Sequence, residues 1–282
     1  MKVVGTQKSQ ILASRIAREL DEELVTTRFS RFPDGEHYLQ TGSLDDRTVI
    51  VGSLTDSDAL IQLLLLIDAC QASENILVLP YMGYARQDKQ FNPGEPISAR
   101  AIGRALGAEV SRVITVQVHE PGVLTHFGVP ATTLSPVKDV TRFITTAGFS
   151  DPLILAPDVG AERFAAAIAR EGRWEHDHLI KTRITGEEVR MEPKRLAVEQ
   201  RTAVIVDDII STGGTLATAS RMLLDQGARA VHAVCVHGIF TGGAYALLIN
   251  AGIVGVAASD TIESGYSRYS VAADIAQALK EC

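Results

Sequence analysis

Apolar residues occur along this chain in short, nearly unbroken runs separated by stretches with helical spacing. The runs are TVIVGS (48–53), NILVLP (75–80), RVITVQV (112–118), PLILAP (152–157), TAVIVDD (202–208), AVHAVCVH (230–237) and GIVGVAAS (252–259). A strand with one wet face alternates apolar and polar residues, whereas a strand covered on both faces does not. Continuous runs alternating with helical patterns therefore predict an α/β fold with mainly parallel sheets flanked by helices. The opening MKVVGTQKSQILASRIAREL reads as a short strand and then a helix. ALIQLLLLIDAC (59–70) reads as a buried helix, and VAADIAQALKE (271–281) as a short amphipathic one.

The pattern also suggests a duplication. A strand at 75–80, a helix ending RALGA (104–108) and a strand ending VQVH (116–119) have parallels later in the chain. These are a strand at 203–208, a helix ending LDQGA (224–228) and a strand ending VCVH (234–237). This pairing predicts two similar α/β domains joined near 136–151, and it sets His119 opposite His237, which is expected to be structural. The first domain is expected to span 1–140, with the C-terminal helix 270–282 able to join it, and the second 141–269. WEHDHLIKTRITGEEVRMEP (174–193) breaks the alternation. Its centre is polar and charged with one glycine, as in an exposed hairpin or a mobile flap.

Composition narrows the class. The 282 residues are 46% hydrophobic and 22% charged, enough for a real core, and the net charge of −7 argues against non-specific nucleic-acid binding. The N-terminus has no apolar segment leading to a small-residue cleavage site, and 59–70 is too short to span a bilayer. A cytoplasmic protein without nucleic-acid or membrane partners is expected. Cys70, Cys235 and Cys282 are far apart, without metal-ligand spacing.

The stretch VIVDDIISTGGTL (204–216) carries the clearest chemistry. Ligands of parallel sheets collect at the carboxyl ends of strands, where Asp207 and Asp208 are expected. The STGGT turn then opens a helix whose first N–H groups attract anions, and its glycines let the backbone come close. Two carboxylates beside a phosphate repel it unless they face another part of the ligand, such as sugar hydroxyls or a magnesium ion. A ribose phosphate meets both demands; plain helix capping beside two solvated acids meets the residues too.

The stretch resembles the phosphoribosyl pyrophosphate (PRPP) motif of the type I phosphoribosyltransferase fold. Transferases that consume PRPP and synthetases that make it share this motif. PYMGYARQDKQFNPGEPISARAIGRAL (80–106) discriminates between them, because it is similar to the GYARQDR…PISA segment of ribose-phosphate pyrophosphokinases (PRPP synthetases). With that family in view, the other segments align in order over essentially the whole chain. The length and DDIISTGGT are closest to archaeal forms.

The resemblance implies two tandem type I phosphoribosyltransferase-like domains, the first on the ATP side and the second carrying a flexible catalytic loop and the ribose 5-phosphate site. It assigns Arg86, Gln87 and Asp88 to ATP. RFPDGE (31–36) is similar to RFSDGE and implies that Phe32, Asp34, Gly35 and Glu36 lie on a hairpin reaching a neighbouring subunit's ATP site, hence a homo-oligomer. ITVQVHEPG (114–122) implies His119 as a ligand to the metal on ATP, although Gln117 stands where the family often has an acid. APDVGAERF (156–164) resembles the PDAGG pyrophosphate loop and implies Asp158 as a second metal ligand, with Ala161 in place of a glycine.

IKTRITGEEV (180–189) resembles the catalytic loop and implies Lys181 and Arg183, two positions that share one face of an extended strand. Asp207, Asp208, Ser211, Thr212, Gly213, Gly214 and Thr215, with Arg183, are assigned to ribose 5-phosphate; Ser211 stands where many members have Asp. The implied cofactor is Mg²⁺, and the implied reaction is diphosphoryl transfer from ATP to ribose 5-phosphate. A G-x-x-x-x-G-K-[ST] loop is absent, as expected if ATP is held by other parts. A PRPP-consuming transferase and a non-catalytic regulatory subunit are the alternatives. The first leaves GYARQ unexplained, and the second is disfavoured by the intact Arg86, Gln87, His119, Lys181, Arg183 and Asp207.

Overall fold

The computed structural model describes residues 1–179 and 196–282, together with the backbone of 181–183 and 189–191. The chain divides into two compact units. Unit 1 holds 1–135, 260–263 and 270–282; unit 2 holds 136–259 and 264–269.

Unit 1 contains strands β1 (Lys2–Gly5), β2 (Glu23–Leu24), β3 (Thr27–Arg31), β4 (His37–Thr41), β5 (Arg47–Val51), β6 (Glu74–Leu79), β7 (Arg112–Val116) and β8 (Ala131–Leu134). Its helices are α1 (Gln10–Leu20), α2 (Ser57–Ala69) and α3 (Ser98–Gly107), and the C-terminal helix Ala272–Lys280 packs on α1. Unit 2 opens with α4 (Val137–Thr146). It continues with β9 (Leu153–Ala156), α5 (Glu162–Gly172), β10 (His176–His178), the antiparallel pair β11 (Lys181–Arg183) and β12 (Val189–Met191), and β13 (Thr202–Ile210). It closes with α6 (Gly214–Asp225), β14 (Ala230–Gly238), α7 (Ala244–Asn250), β15 (Ile253–Ser259) and β16 (Ser267–Tyr269); the C-terminal helix is α8.

Each unit has one six-stranded parallel sheet. The orders are β2-β1-β5-β6-β7-β8 and β10-β9-β13-β14-β15-β16. The apolar runs form the central strands because both faces are covered: Val49, Ile50, Leu77 and Val78 are fully buried in unit 1, as are Leu155, Val204, Ile205 and Ala233 in unit 2. Burying one such aliphatic side chain contributes about 1.5–3 kcal/mol, so the runs fix the strand centres firmly. The short edge strands β2, β8, β10 and β16 carry no such signal. His176–His178, inside the stretch that breaks the alternation, pairs in parallel with β9.

The two sheet orders reveal a duplication in a different register from the one expected. Strand for strand, β1 matches β9, β5 matches β13 and β6 matches β14, and a two-stranded hairpin (β3–β4, β11–β12) stands at the same place in each. The pairing of 75–80 with 203–208 is therefore one strand out of step. The counterpart of His119 follows β15, not β14. A sequence echo fits this register: Ile16-Ala17-Arg18-Glu19 in α1 recurs as Ile168-Ala169-Arg170-Glu171 in α5. Both helices then end on a left-handed residue, Asp21 (φ 56°) and Arg173 (φ 57°), with the next N–H closing on Ala17 and Ala169. The helices after the last strands are exchanged: α4, which follows β8, packs on α5 in unit 2, whereas α8, which follows β16, packs on α1 in unit 1.

Candidate functional site

In an open parallel sheet, ligands bind where neighbouring strands send their connections to opposite sides. In unit 2 that point lies between β9 and β13, since β9 leads out to β10 and β13 leads the other way to β14. The loop after β9, which carries Asp158, and the end of β13 with the loop that follows it, which together carry Asp207–Thr215, flank it.

Strand β13 does not end at the acids. Ile209 and Ile210 extend it and pair with His237 and Gly238 of β14, because their β-branched side chains suit a strand. Asp207 and Asp208 thus sit in the last turnings of the strand. The Asp208 N–H donates to Asp207 Oδ1 at 2.9 Å. Burial pushes the Asp207 carboxyl well above the usual carboxylate range, and Asp208 and then Asp158 push it further. These three carboxylates form one electrostatic group, relieved by a cation or by hydroxyl donors.

Beyond β13 the chain turns through Gly213, left-handed at φ 76°, into α6. Among the described residues no side chain caps α6, whereas Asp56 caps α2 through the Ala59 N–H at 2.9 Å. Among the described residues a Cβ on Gly214 meets no atom within 4 Å, so they leave the helix entrance open to a ligand. Thr212 and Gly214 are exposed, and Ser211 and Thr215 are partly so. An uncapped N-terminus with hydroxyls and an open glycine suits a phosphate.

At Asp158 the geometry is more local. Its Oδ1 accepts from the Gly160 and Ala161 N–H groups at 3.0 and 3.3 Å, so those donors face the carboxylate. Ala161 is buried, and its methyl group is packed inward.

In unit 1, Phe32, Asp34, Gly35 and Glu36 form the turn of the β3–β4 hairpin, closed by Phe32 N–H to Glu36 O at 2.9 Å. Gly35 is left-handed (φ 96°) and half of Phe32 is exposed, its ring edge-on to Tyr38. Arg31 and His37, the strand pair next to the turn, tie the hairpin to Asp58 at the start of α2. Arg86 is exposed, and Gln87 and Asp88 are partly buried. The loop beyond them is organised by Glu95, which accepts from the Phe91 and Asn92 N–H groups at 2.9 and 3.0 Å.

Strand β7 stops at Val116, short of the expected 118, because Gln117 is left-handed (φ 41°). This turn leaves His119 exposed. Backbone strain of this kind collects at functional sites. His119 belongs to unit 1 and Asp158 to unit 2, while His237 is buried. Among the described residues no three His, Cys, Asp or Glu side chains gather to hold a metal. Mg²⁺ takes most of its shell from phosphates and water with one or two carboxylates, so the acidic carboxyl end of a central strand beside an open helix entrance fits it. The side chains of Lys181 and Arg183 lie outside the described residues; their backbone forms β11, in register with Met191 and Val189.

The corresponding point of unit 1, between β1 and β5, is filled by the chain itself. Ser53 Oγ donates to Thr261 O, Glu263 Oε1 accepts from the Leu12 N–H at 2.7 Å, and Arg15 pairs with buried Asp260 at 2.6 Å. Glu263 thereby takes the place of an anion at the start of α1. The sequence offers no local signal for this segment, since these partners lie 208, 251 and 245 positions away.

Two parallel sheets with matching strand order, one of them carrying an acid pair and a glycine turn into a helix at its switch point, define a protein of the phosphoribosyltransferase-type α/β class. Residues 1–109 match the model of the N-terminal domain of ribose phosphate pyrophosphokinase, and residues 137–270 match the phosphoribosyl transferase domain. Ribose-phosphate pyrophosphokinases of Methanosarcina acetivorans and Methanopyrus kandleri are 47% and 39% identical, each over 99% of this chain and 99% of theirs. The crystal structure of phosphoribosylpyrophosphate synthetase from Mycobacterium smegmatis is similar with a TM-score of 0.82 at 26% identity, covering 99% of this chain and 98% of that one. The chain belongs to the ribose-phosphate pyrophosphokinase family. Among the described residues no helix is long and apolar enough to cross a membrane.

Proposed function

We propose that this chain transfers the β,γ-diphosphoryl group of ATP to the C1 hydroxyl of ribose 5-phosphate, releasing PRPP and AMP, and that it works in the cytoplasm as a homo-oligomer. The observation that carries this reading is the uncapped α6 entrance beside the Asp207–Asp208 pair, in a chain related to the family over its whole length.

The N–H groups of the α6 first turn and the hydroxyls of Ser211, Thr212 and Thr215 hold the 5-phosphate, with Gly213 and Gly214 admitting it to the backbone. Asp207 and Asp208 accept hydrogen bonds from the ribose hydroxyls, which fixes the sugar and presents its C1 oxygen. That oxygen attacks the β-phosphorus and its proton passes to solvent; the new O–P bond forms as the bridge between the α- and β-phosphates breaks, and AMP leaves with the bridging oxygen. Unit 1 supplies the ATP side. Arg86, Gln87 and Asp88 bind the nucleotide, and Phe32, Asp34, Gly35 and Glu36 reach the site of a neighbouring subunit. Lys181 and Arg183 close over the transferring group and stabilise its charge. His119 and Asp158 would each offer a protein donor to Mg²⁺, which when bound would supply charge neutralisation. Positioning and electrostatics account for most of the rate, as in other phosphoryl transfers. The test is release of AMP from ATP that depends on ribose 5-phosphate, run with and without phosphate and ADP.

A further inference from the structure

A second Thr-Gly-Gly follows the next strand along. The anion loop reads STGGTLA (211–217), and the loop after β14 reads FTGGAYA (240–246). The two loops are stitched together. The N–H groups of Ile239 and Phe240 donate to Ile210 O at 3.0 and 3.1 Å, and that of Thr241 donates to Ser211 O at 3.1 Å. The hydroxyls of Ser211 and Thr241 then meet at 3.3 Å.

The second loop is firmly held. Phe240 is left-handed (φ 49°), a conformation a bulky residue adopts only when its surroundings impose it. Its ring leans on Tyr266 at 4.6 Å, and Tyr266 stacks on Tyr245 at 4.8 Å. Its other side fills the place of a missing side chain, since a Cβ on Gly238 falls 2.4 Å from the ring. This aromatic stack fixes Phe240, and with it the position of Thr241 beside Ser211.

A hydroxyl donates one hydrogen bond and accepts two. Between Ser211 and Thr241 either oxygen can be the donor. A phosphate oxygen only accepts, so an anion at Ser211 takes the Ser211 proton and leaves Thr241 as the donor of the pair. Hydrogen bonds in such a chain polarise and strengthen one another.

We propose that Thr241 is a positioning residue for the 5-phosphate site: it donates to Ser211 Oγ and so aims the Ser211 hydroxyl at the sugar phosphate. This rests on the assignment of the 211–215 loop to ribose 5-phosphate. Thr241 acts through Ser211, so its effect falls on sugar-phosphate binding and not on ATP.

The experiment is steady-state kinetics with saturating ATP and varied ribose 5-phosphate, paired with calorimetric titration of ribose 5-phosphate. Thr241→Val keeps the shape and removes the donor, and Thr241→Ala serves as a second form should valine perturb folding. The expected result is a KM and Kd for ribose 5-phosphate raised about five-fold, the worth of one hydrogen bond. The KM for ATP stays unchanged, kcat stays within about two-fold, and Thr241→Ser restores binding. In a Ser211→Ala background Thr241→Val adds nothing further. The proposal is overturned by an unchanged KM and Kd, by full additivity with Ser211→Ala, or by a serine variant no better than valine. A wild-type protein that releases no AMP contradicts the proposed reaction instead, and the titration then still reads the Ser211–Thr241 coupling.

Discussion

Asp207 accepts the Asp208 N–H at 2.9 Å, and the two carboxyls are held together at the switch point of unit 2 with Asp158 close enough to add its charge. The folded protein carries this repulsion before any ligand arrives. If Asp207 binds the sugar as proposed, function and stability are set against each other at this residue.

The first prediction follows from the sign of that effect. The Asp207 carboxyl is raised above its ordinary value of 3.8 by burial first and by Asp208 second. The folded state thus binds more protons than the unfolded state above that pH, and stability falls as pH rises from 3.8 through the folded value. Asp207→Asn removes the penalty. At pH 7–8 the ligand-free variant is expected to melt about 2–4 °C higher, as a gain of about 1 kcal/mol does in a chain of this size, with a flatter dependence of Tm on pH. PRPP formation should fall at least 100-fold, in line with loss of a positioning charge. A variant that melts no higher than wild type across the pH series contradicts the account of the acid pair.

Gly214 separates folding from binding in the same way. Its missing Cβ meets nothing within 4 Å, and it opens helix α6. If the position served folding alone, alanine would improve it by about 0.5–1 kcal/mol through helix propensity. Gly214→Ala is expected to hold or raise the urea midpoint while raising the KM for ribose 5-phosphate at least ten-fold. Unchanged KM would show that the 5-phosphate lies elsewhere.

Lys181→Ala is expected to lower kcat by about 10²–10³, the scale for removing one charge-stabilising donor, with ribose 5-phosphate binding retained. Single-turnover AMP release with purified variant measures it. Turnover near the wild-type rate removes Lys181 from the chemistry.

The segment 260–263 gives a prediction about stability. Asp260 is 1% exposed, and Arg15 is its cationic partner. Arg15→Ala leaves a buried carboxylate supported by the Val271 N–H at 3.0 Å. The expected cost is about 2 kcal/mol, read as a lower urea midpoint, with a smaller loss for Arg15→Lys. No loss in either variant would mean that the pair contributes nothing to anchoring the segment.

How far the sequence goes depends on whether the cause is local. The central strands were legible because burial on both faces writes itself as a continuous apolar run. Their ends were not: Gln117 turns left-handed inside an apolar stretch, and Ile209–Ile210 carry β13 past the acids. The duplication was visible, but its register was misread from strand endings. The Ile-Ala-Arg-Glu echo in α1 and α5 gives the true offset, because it marks helices with the same packing task. The acid pair and STGGT stand out in the sequence as adjacent residues, and the structure places them at the switch point of unit 2. Thr241 and the 260–263 segment act across neighbouring strands or from distant positions, so only the repeated Thr-Gly-Gly hinted at the former.

The most direct measurement follows label from ATP carrying radioactive β-phosphorus, incubated with the protein, Mg²⁺ and ribose 5-phosphate. The account predicts that the label leaves ATP and appears in PRPP, with one AMP released per PRPP formed and none without ribose 5-phosphate. Label retained in ADP, or turnover seen only when PRPP and a nucleobase are supplied, would contradict it.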